Sequence, residues 1–536
     1  MPKKAQPKTR ESLNAALEQM SRTGQHCEIS ALAGTGKTSS MIQGMVNAKG
    51  GTPKFKPSPQ QELIWDELSI HKDSSIRMSA FNKDITLEAG AQIEEYGLHL
   101  KGVEAKGIHG LGMSVLGKRF PFRLEPDNFA MYAHMERILG LDLKANKDKY
   151  GVIASVTDDL VSLCKCCLVQ PEPEVLDELV KQFDIEPPEQ GMGEVYDLVP
   201  KVLKSSLSPM KIISWDDMIY LPLKLNIPIP RKELQIIDES QDLNRMQQAL
   251  MLLAGERIMF VGDRRQAIYA FAGADSESMD RFGGFLADSP RGLRTLNLTV
   301  TRRCSKAVVE EAQKIVKEFE AHADNKDGAI KSAKYPMSEQ WDKTYLPLVK
   351  PGDMVLCRVN APLVSQCFRF IEKDIKAIIL GRKIGSGLIT LLNKAHTEDC
   401  DRLKLWLQEW YEKEVDLEER KKHPSELRMI ALRDKFNCLN SFANRCETVE
   451  KMRTKINEIF TDNRKAPAVR CSSIHKSKGL EAEQVFLLQP KGASIPHPMA
   501  RTKEAQLQEW NLKYIAITRA IEDFYYVKGG DEKKDD

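Results

Sequence analysis

No apolar run in this chain of 536 residues approaches the roughly 18 needed to cross a bilayer, which argues against a membrane partner. The opening stretch MPKKAQPKTR is basic, but no apolar segment follows it, so it reads as a solvated arm and not as a secretory signal. Net charge is nearly absent as well: 79 Lys and Arg stand against 76 Asp and Glu, leaving +3. Any grip on nucleic acid must therefore come from cations gathered locally, because phosphate contacts supply most of such affinity. The eleven cysteines follow no repeated C-x-x-C frame and are odd in number, which argues against a disulfide scaffold and for a reducing, cytoplasmic setting. The run CKCC lacks a fourth cysteine at a spacing suited to a metal or cluster, so Cys164, Cys166 and Cys167 read as thiols on a helix. No internal repeat stands out, and the tail GGDEKKDD reads as disordered. What remains is a globular composition, 42% hydrophobic and 29% charged, long enough for about three or four domains.

Several short apolar runs end in polar motifs. HCEIS runs into a glycine-rich loop, SIRMSA into FNKD, LQII into DESQD and RIMFV into GDRRQ. Such runs predict an α/β fold with parallel sheets, whose functional residues gather at the strands' carboxyl ends. A second set, DMVLCRV, KAIILG, VRCSSI, EQVFLLQ and DFYYV, supplies a second sheet. The stretches of about 113–210 and 385–465 are charged, leucine-bearing and read as mainly helical insertions.

The loop is ALAGTGKTSS, residues 31–40. Gly36, Lys37 and Thr38 fit the phosphate-loop pattern G-x-x-x-x-G-K-[ST], whereas Ala31 stands where its first glycine belongs. Gly34 and Gly36 permit a tight turn, Lys37 supplies charge for the outer phosphates and Thr38 a hydroxyl for Mg²⁺. Ala31, Gly34, Thr35, Gly36, Lys37, Thr38 and Ser39 are thus the candidate phosphate-binding stretch, with the helix N-terminus behind it. Downstream, IIDESQD ends an apolar strand in Asp238, a candidate Mg²⁺ holder with Thr38, and Glu239, a candidate base for the attacking water. A plain strand–helix turn, or a charged turn, would explain either motif alone. Together they point to hydrolysis of a nucleoside triphosphate.

The order of the remaining motifs resembles the UvrD/Rep-like group of superfamily-1 DNA helicases. ALAGTGKT, AFNKDI, KGIHGLG, DESQD, VGDRRQAIYAFAGAD, TRRC, SSIHKSKGLE and YIAITRA follow one another in the family's order from about residue 27 to 528. In that family an alanine at the start of the phosphate loop is ordinary. The resemblance implies two RecA-like parallel-sheet P-loop NTPase domains with ATP and Mg²⁺ between them, each carrying a mainly helical insertion. It divides the chain into domain 1A (1–112 and 211–295), insertion 1B (113–210), domain 2A (296–384 and 466–530), a small insertion 2B (385–465) and a tail (531–536).

Residue by residue, the resemblance makes Gln266 a sensor of the γ-phosphate, and Arg303 and Arg519 the arginines that reach that phosphate from the second sheet. Closure of the domains on ATP would then drive the motor. Glu481 resembles the residue that holds the ribose. Tyr269 and Phe271 resemble aromatics on which bases stack, a mode indifferent to sequence. Phe81, Asn82, Lys83, His109 and His475 resemble strand-contacting positions. Asp216 and Asp217, in SWDDMIYLP, read as caps or orienters. Two departures stand out. The family's adenine-reading glutamine precedes the loop, yet here Gln19 has a poor context, and Gln60 and Gln61 follow the loop and either read the base or begin a helix. Arg302 stands where the family carries an aromatic, and its guanidinium plane can stack on adenine.

The implied activity is an ATP-dependent DNA helicase and single-stranded DNA translocase, 3′→5′, acting on single-stranded and tailed duplex DNA in repair, replication or recombination. It would be cytoplasmic and nucleoid-associated, with cellular or viral origin left open. A DNA-dependent ATPase that remodels protein–DNA complexes without unwinding would keep every motif.

Overall fold

The computed structural model describes residues 24–183, 185, 188, 191–267, 277–335, 344–420, 426–463, 466–490, 492–497, 500 and 503–529. The chain forms two compact units, the first made of 1–32 and 36–298 and the second of 299–536 together with the short segment Ala33–Thr35. The first is built on β1 (His26–Ala31), β2 (Ile76–Ala80), β3 (Val103–Ala105), β6 (Lys232–Asp238), β7 (Gly255–Gly262) and β8 (Leu293–Leu298). They form one parallel sheet in the order β3-β2-β6-β7-β1-β8. A separate short parallel pair joins β4 (Glu125–Pro126) to β5 (Ile212–Ile213).

Alternation along the strands sends successive side chains to opposite faces. Ile236, Met259 and Val261 pack with Ile29, Met41, Ile42 and Leu68 on one face. Ile237, Ile258 and Phe260 pack on the other with Leu160, Val161, Val195, Val199 and Val202 from the helices that lie between β3 and β6. Those helices, among them Lys147–Cys167 and Met192–Ser206, therefore share one core with the sheet. Each such aliphatic side chain, fully buried, contributes about 1.5–3 kcal/mol. Cys164 and Cys166 are buried in that core and burial raises their thiols, the first to about 12. Among the described residues, no group of three or more His, Cys, Asp or Glu could hold a metal ion.

The second unit carries β9 (Val300–Thr301) paired with β10 (Glu320–Ala321), and a seven-stranded parallel sheet. Its strands are β11 (Ala329–Lys334), β12 (Met354–Cys357), β13 (Ala377–Leu380), β14 (Phe460–Thr461), β15 (Val469–Ser473), β16 (Ala482–Gln489) and β17 (Ala520–Lys528), in the order β11-β17-β16-β12-β15-β13-β14. Between β13 and β14 lie the helices Arg382–Lys394, Cys400–Glu419, Glu426–Ala443 and Val449–Ile459. Their apolar faces, including Leu392, Leu403, Leu407, Leu439, Phe442 and Met452, join the core of this sheet. All nine apolar runs read as strands from sequence form strands, whereas the short β3 and the polar β8 and β11 gave no such signal. No helix among the described residues is long and apolar enough to cross a membrane.

An ion network braces the edge of the first sheet remote from the carboxyl ends of its strands. Arg257, in β7, donates through Nε to the Gln25 carbonyl (2.5 Å), through Nη1 to His71 Nε2 (2.8 Å), and pairs through Nη2 with Glu67. Arg294, in β8, takes the other Glu67 oxygen. Arg257 and Glu67 are almost fully buried, so the charges are held by each other and by a carbonyl, not by water.

Removing Glu67 leaves Arg257 buried without its carboxylate. Glu67→Leu is expected to cost the first unit about 3–5 kcal/mol. Hydrogen exchange of the β7 amides in urea checks this, and unchanged protection would remove the network from that role. A second expectation concerns acid. Burial, with Arg291 and Arg257 nearby, lowers His26 to about 3, and burial with Arg257 lowers His71 to about 4. Both lie below the unfolded value of about 6.5, so below that pH the unfolded chain binds protons the fold refuses. Stability from this source is full above about pH 6.5 and falls on acidification by up to about 1.4 kcal/mol per pH unit for each ring. Urea titrations at pH 7 and pH 5 measure it, with a shallower slope expected for His71→Gln.

Candidate active site

β1 ends in Ala31, which is fully buried and paired with Leu298, so its methyl is part of the core. The left-handed conformations fall two and four residues later than the last of the chain's loop entry at Leu32, at Gly34 (φ +67°) and Gly36 (φ +78°). Those are the positions where a side chain would be strained, and both are glycine. The departure at Ala31 is thereby explained: that residue is extended strand and has no need of glycine's freedom. Gly36 is the N-cap of the helix Lys37–Ala48, which no side chain caps and whose first turn holds no acidic residue. The uncapped N–H groups and the dipole together favour an anion there. Thr35 is buried, Thr38 half-buried and Ser39 exposed.

β6 delivers the acidic pair to the same place. Thr38 Oγ1 donates to Asp238 Oδ2 at 2.6 Å, and Lys37 Nζ stands 3.7 Å from Glu239 Oε1. Asp238 is fully buried, and its carboxyl is pushed up to about 6, first by that burial and then by the Glu239 charge beside it. Glu239 itself has a left-handed backbone (φ +52°), a conformation that costs a non-glycine residue energy and that clusters at functional sites.

From Glu239 a chain of buried amides runs to the next strand. Gln241 donates through Nε2 to Glu239 Oε2 and accepts through Oε1 from the Asp263 N–H (3.1 Å). Asp263 in turn accepts from Gln266 Nε2 (2.7 Å) through Oδ2. Burial raises the Asp263 carboxyl, and the Lys37 charge opposes that rise. Gly262 makes the approach possible: a Cβ there would lie 2.5 Å from Gln241 Oε1 and 2.8 Å from Ser240 Oγ. Gln266 is therefore linked to the phosphate-loop lysine's partner through Gln241 and Asp263. Neither Gln241 nor Asp263 has a role in the reading from sequence, although both stand inside motifs, Gln241 two positions after Glu239 and Asp263 three before Gln266.

From sequence, Gln61 either reads the base or begins a helix. It sits third in the helix Pro59–Ser69, buried, with Oε1 accepting from the Ser58 N–H (2.9 Å) and Nε2 donating to Ser40 Oγ (2.9 Å). Ser40 Oγ donates in turn to the Gly36 carbonyl (2.7 Å). Both ends of the Gln61 amide thus serve a capping box and the back of the phosphate loop. Gln60 lies in the same first turn, and Gln19 is outside the described residues.

The candidate strand-contacting residues divide into several kinds. Lys83 is exposed, Phe81 packs partly against the core, and Asn82 caps the helix Lys83–Glu95 by accepting from the Asp84 N–H (2.9 Å). His109 is half-buried and lowered by burial, an effect Asp216 opposes. His475 follows β15, and burial with Arg358 and Lys476 nearby lowers it to about 3, so it is a neutral ring at pH 7. Tyr269 and Phe271 lie outside the described residues. Asp216 accepts from Ser162 Oγ (2.5 Å), while Asp217 accepts from Ser214 Oγ (2.9 Å) and pairs with buried Lys165 (2.7 Å). Both aspartates thus orient the turn that precedes their helix.

In the second unit Arg303 Nε pairs with Glu481 Oε2 at 2.5 Å. Arg302 is exposed. Arg519 is 1% exposed, and its guanidinium donates to the Ile515 and Leu480 carbonyls (both 3.1 Å) and to Thr518 Oγ1 (3.3 Å). Arg303 and Glu481 are therefore adjacent surface-side partners, whereas Arg519 is held inside its own unit.

These residues fit a magnesium nucleotide. The glycine turn and uncapped helix suit phosphate oxygens, Lys37 can shift from Glu239 to them, and Thr38 with Asp238 offers one hydroxyl and one carboxylate to a hard cation. A buried carboxyl whose charge is opposed by a neighbouring one is relieved by such a cation.

The UvrD/REP helicase N-terminal domain matches residues 12–285. DNA helicase II of Escherichia coli (strain K12) and DNA helicase II of Salmonella typhimurium (strain LT2) are each 37% identical over 84 residues, which is 15% of this chain and 11% of theirs. Among solved structures, Arterivirus nonstructural protein 10 (helicase) in complex with DNA is 10% identical with a TM-score of 0.33, covering 98% of this chain and 64% of that one. With the family's N-terminal domain matched across just over half of its length, this chain belongs to the UvrD/REP helicases.

Proposed function

We propose that this chain is an ATP-dependent DNA helicase and single-stranded DNA translocase. The observation that carries the reading is the meeting of Thr38 with Asp238 and of Lys37 with Glu239, residues 200 positions apart in the first pair. In it, Gly34, Gly36, Lys37 and Ser39 hold the triphosphate, Thr38 and Asp238 hold Mg²⁺, and Glu239 takes a proton from the attacking water. Gln266 senses the outer phosphate through the Gln241–Asp263 link. Arg303, Glu481 and Arg519 serve the nucleotide from the second unit, for which Arg303 would exchange Glu481 for phosphate and Arg519 would leave its carbonyls. Lys83, His109 and His475 touch the strand. The 3′→5′ polarity and a place in repair, replication or recombination rest on the family alone. The division into domains 1A and 2A with helical insertions 1B and 2B is part of the same reading, supported by the helices between β3 and β6 and between β13 and β14.

The deciding experiment measures ATP hydrolysis with and without single-stranded DNA, beside unwinding of duplexes tailed at either end. Stimulated hydrolysis with unwinding supports the reading, hydrolysis without unwinding favours a remodelling ATPase, and no stimulation by DNA overturns the motor. Glu239→Gln is expected to slow hydrolysis by about 10²–10⁴-fold while nucleotide binding survives. Lys37→Ala is expected to lose both.

The raised Asp238 carboxyl gives a pH signature. Below about 6 it is protonated and must lose that proton to a cation, so affinity for the magnesium nucleotide falls by up to about tenfold per pH unit on acidification. Above that value the affinity levels off. Titration with a fluorescent ATP analogue between pH 5 and 8 reads the profile. Asp238→Asn is expected to weaken binding and leave only the slope of the nucleotide's own phosphate, whose pKa is about 6. Identical slopes in the two proteins would remove Asp238 from the metal site.

A further inference from the structure

A groove of about 370 Å³ opens in the second unit, walled by the helices Ala361–Ile371 and Glu426–Ala443 and by the loop around Ala493. No residue lining it has a role in the nucleotide chemistry above. Its two helical walls are fixed to each other: the Asp434 carboxylate accepts from the N–H groups of Asn360 and Ala361 (2.9 and 2.7 Å) at the start of the first helix. Leu432, Cys438, Leu439 and Phe442 bury the opposite side of the second helix. The groove is thus part of the fold and not a gap between loose segments.

Its lining is unusual in kind. Pro362, Ile430 and Ala493 offer apolar surface, while Arg433, Asn437 and Asn440 recur at spacings of four and three on one helix face and Asn444 follows the helix's last residue. The side-chain amides of Asn437, Asn440 and Asn444 have no hydrogen-bond partner among the described residues. Asparagine is a poor helix former because its side chain competes with the backbone, so Asn437 and Asn440 on one face run against the needs of the helix itself. Each amide presents a donor and an acceptor side by side. Charge is scarce: Asp434 is engaged in capping, and burial lowers His497, leaving it neutral at pH 7. A phosphate site would need cations in number. An extended peptide would need a sheet edge or a long apolar groove, whereas two helices and a loop form these walls. The chemistry that remains is a flat, uncharged ring bearing donors and acceptors on one edge.

We propose that this groove accepts an unpaired purine base from a bound single strand, the apolar surface taking its face and the asparagines with Arg433 its edge. Asparagine matches the N6/N7 edge of adenine and arginine the O6/N7 edge of guanine, edges that pyrimidines lack. The inference rests on the proposed binding of single-stranded DNA and adds to it a preference among bases.

The test uses the full chain and a set of labelled oligo(dT) strands, each with one dA, one dG or one abasic residue stepped along the sequence. Anisotropy gives affinity, and stimulated ATP hydrolysis is read in parallel. At one position a purine is expected to tighten binding about tenfold over dT and abasic strands. In N437A/N440A, and separately in Asn444→Ala, that advantage shrinks or vanishes, while binding and stimulation by plain oligo(dT) persist and show the variants to be folded. Equal affinity for all strands at every position overturns the proposal, as does a purine advantage that survives in the double variant. If plain oligo(dT) neither binds nor stimulates the native chain, the single-strand reading itself fails and the groove's ligand falls with it.

Discussion

A hydroxyl and a carboxylate from opposite ends of the first sheet's long connection meet at 2.6 Å, Thr38 with Asp238, and much of the site follows from that contact. It exists because the sheet is parallel and ordered β6-β7-β1 at its centre, so the carboxyl ends of all three strands open on one side. Asp238 lies at such an end but is fully buried, where a charge is poorly tolerated. The hydroxyl, the Lys37 ammonium and the Glu239 N–H each favour its ionised form, yet burial and Glu239's own charge still raise it. A carboxylate left in that position holds a standing attraction for one more cation.

The middle strand supplies the extension. β7 ends in Gly262, whose missing side chain lets Gln241 reach the Asp263 backbone, and Asp263 holds Gln266. A change at Glu239 therefore alters the partner of one end of the Gln241 amide, whose other end accepts from the Asp263 N–H. Buried amide and carboxylate groups so linked act together, because leaving any one of them unpaired in a dry interior costs more than a typical hydrogen bond contributes. This gives Gln266 a physical route by which the state of the phosphate loop could be felt, independent of any direct contact with phosphate.

Strands with polar ends were the most legible part of the chain. HCEIS, LQII and RIMFV announce themselves by apolar runs that stop at a charged or glycine-rich motif, and the residues just past those stops are the ones the fold brings together. Ala31 looked like a missing glycine because a motif counts positions and not backbone angles; the angles fall on Gly34 and Gly36. What the sequence could not convey was partnership at long range. Nothing in ELIWDELS hints that Glu67 will hold Arg257 and Arg294, and PSPQQ suggests a base-reading glutamine until the fold shows both ends of the Gln61 amide in use. Arg519 is the same lesson from the other side. A motif arginine is naturally pictured reaching outward, yet three acceptors of its own unit surround this one.

The inserted helices of the first unit bear on the site through polar contacts as well as packing. Lys165, on the helix Lys147–Cys167, is buried against Asp217, and Ser162 on the same helix donates to Asp216, which in turn faces His109. A buried ion pair of this sort is a poor source of net stability, since desolvation offsets most of the attraction. It is much better at fixing position, because a shift that separates the charges leaves both unpaired in a medium that cannot hydrate them. The pair therefore makes the SWDD turn and the long helix move as one body. A displacement of the long helix is therefore carried to that turn, and through Asp216 toward His109, by side chains with little freedom to yield.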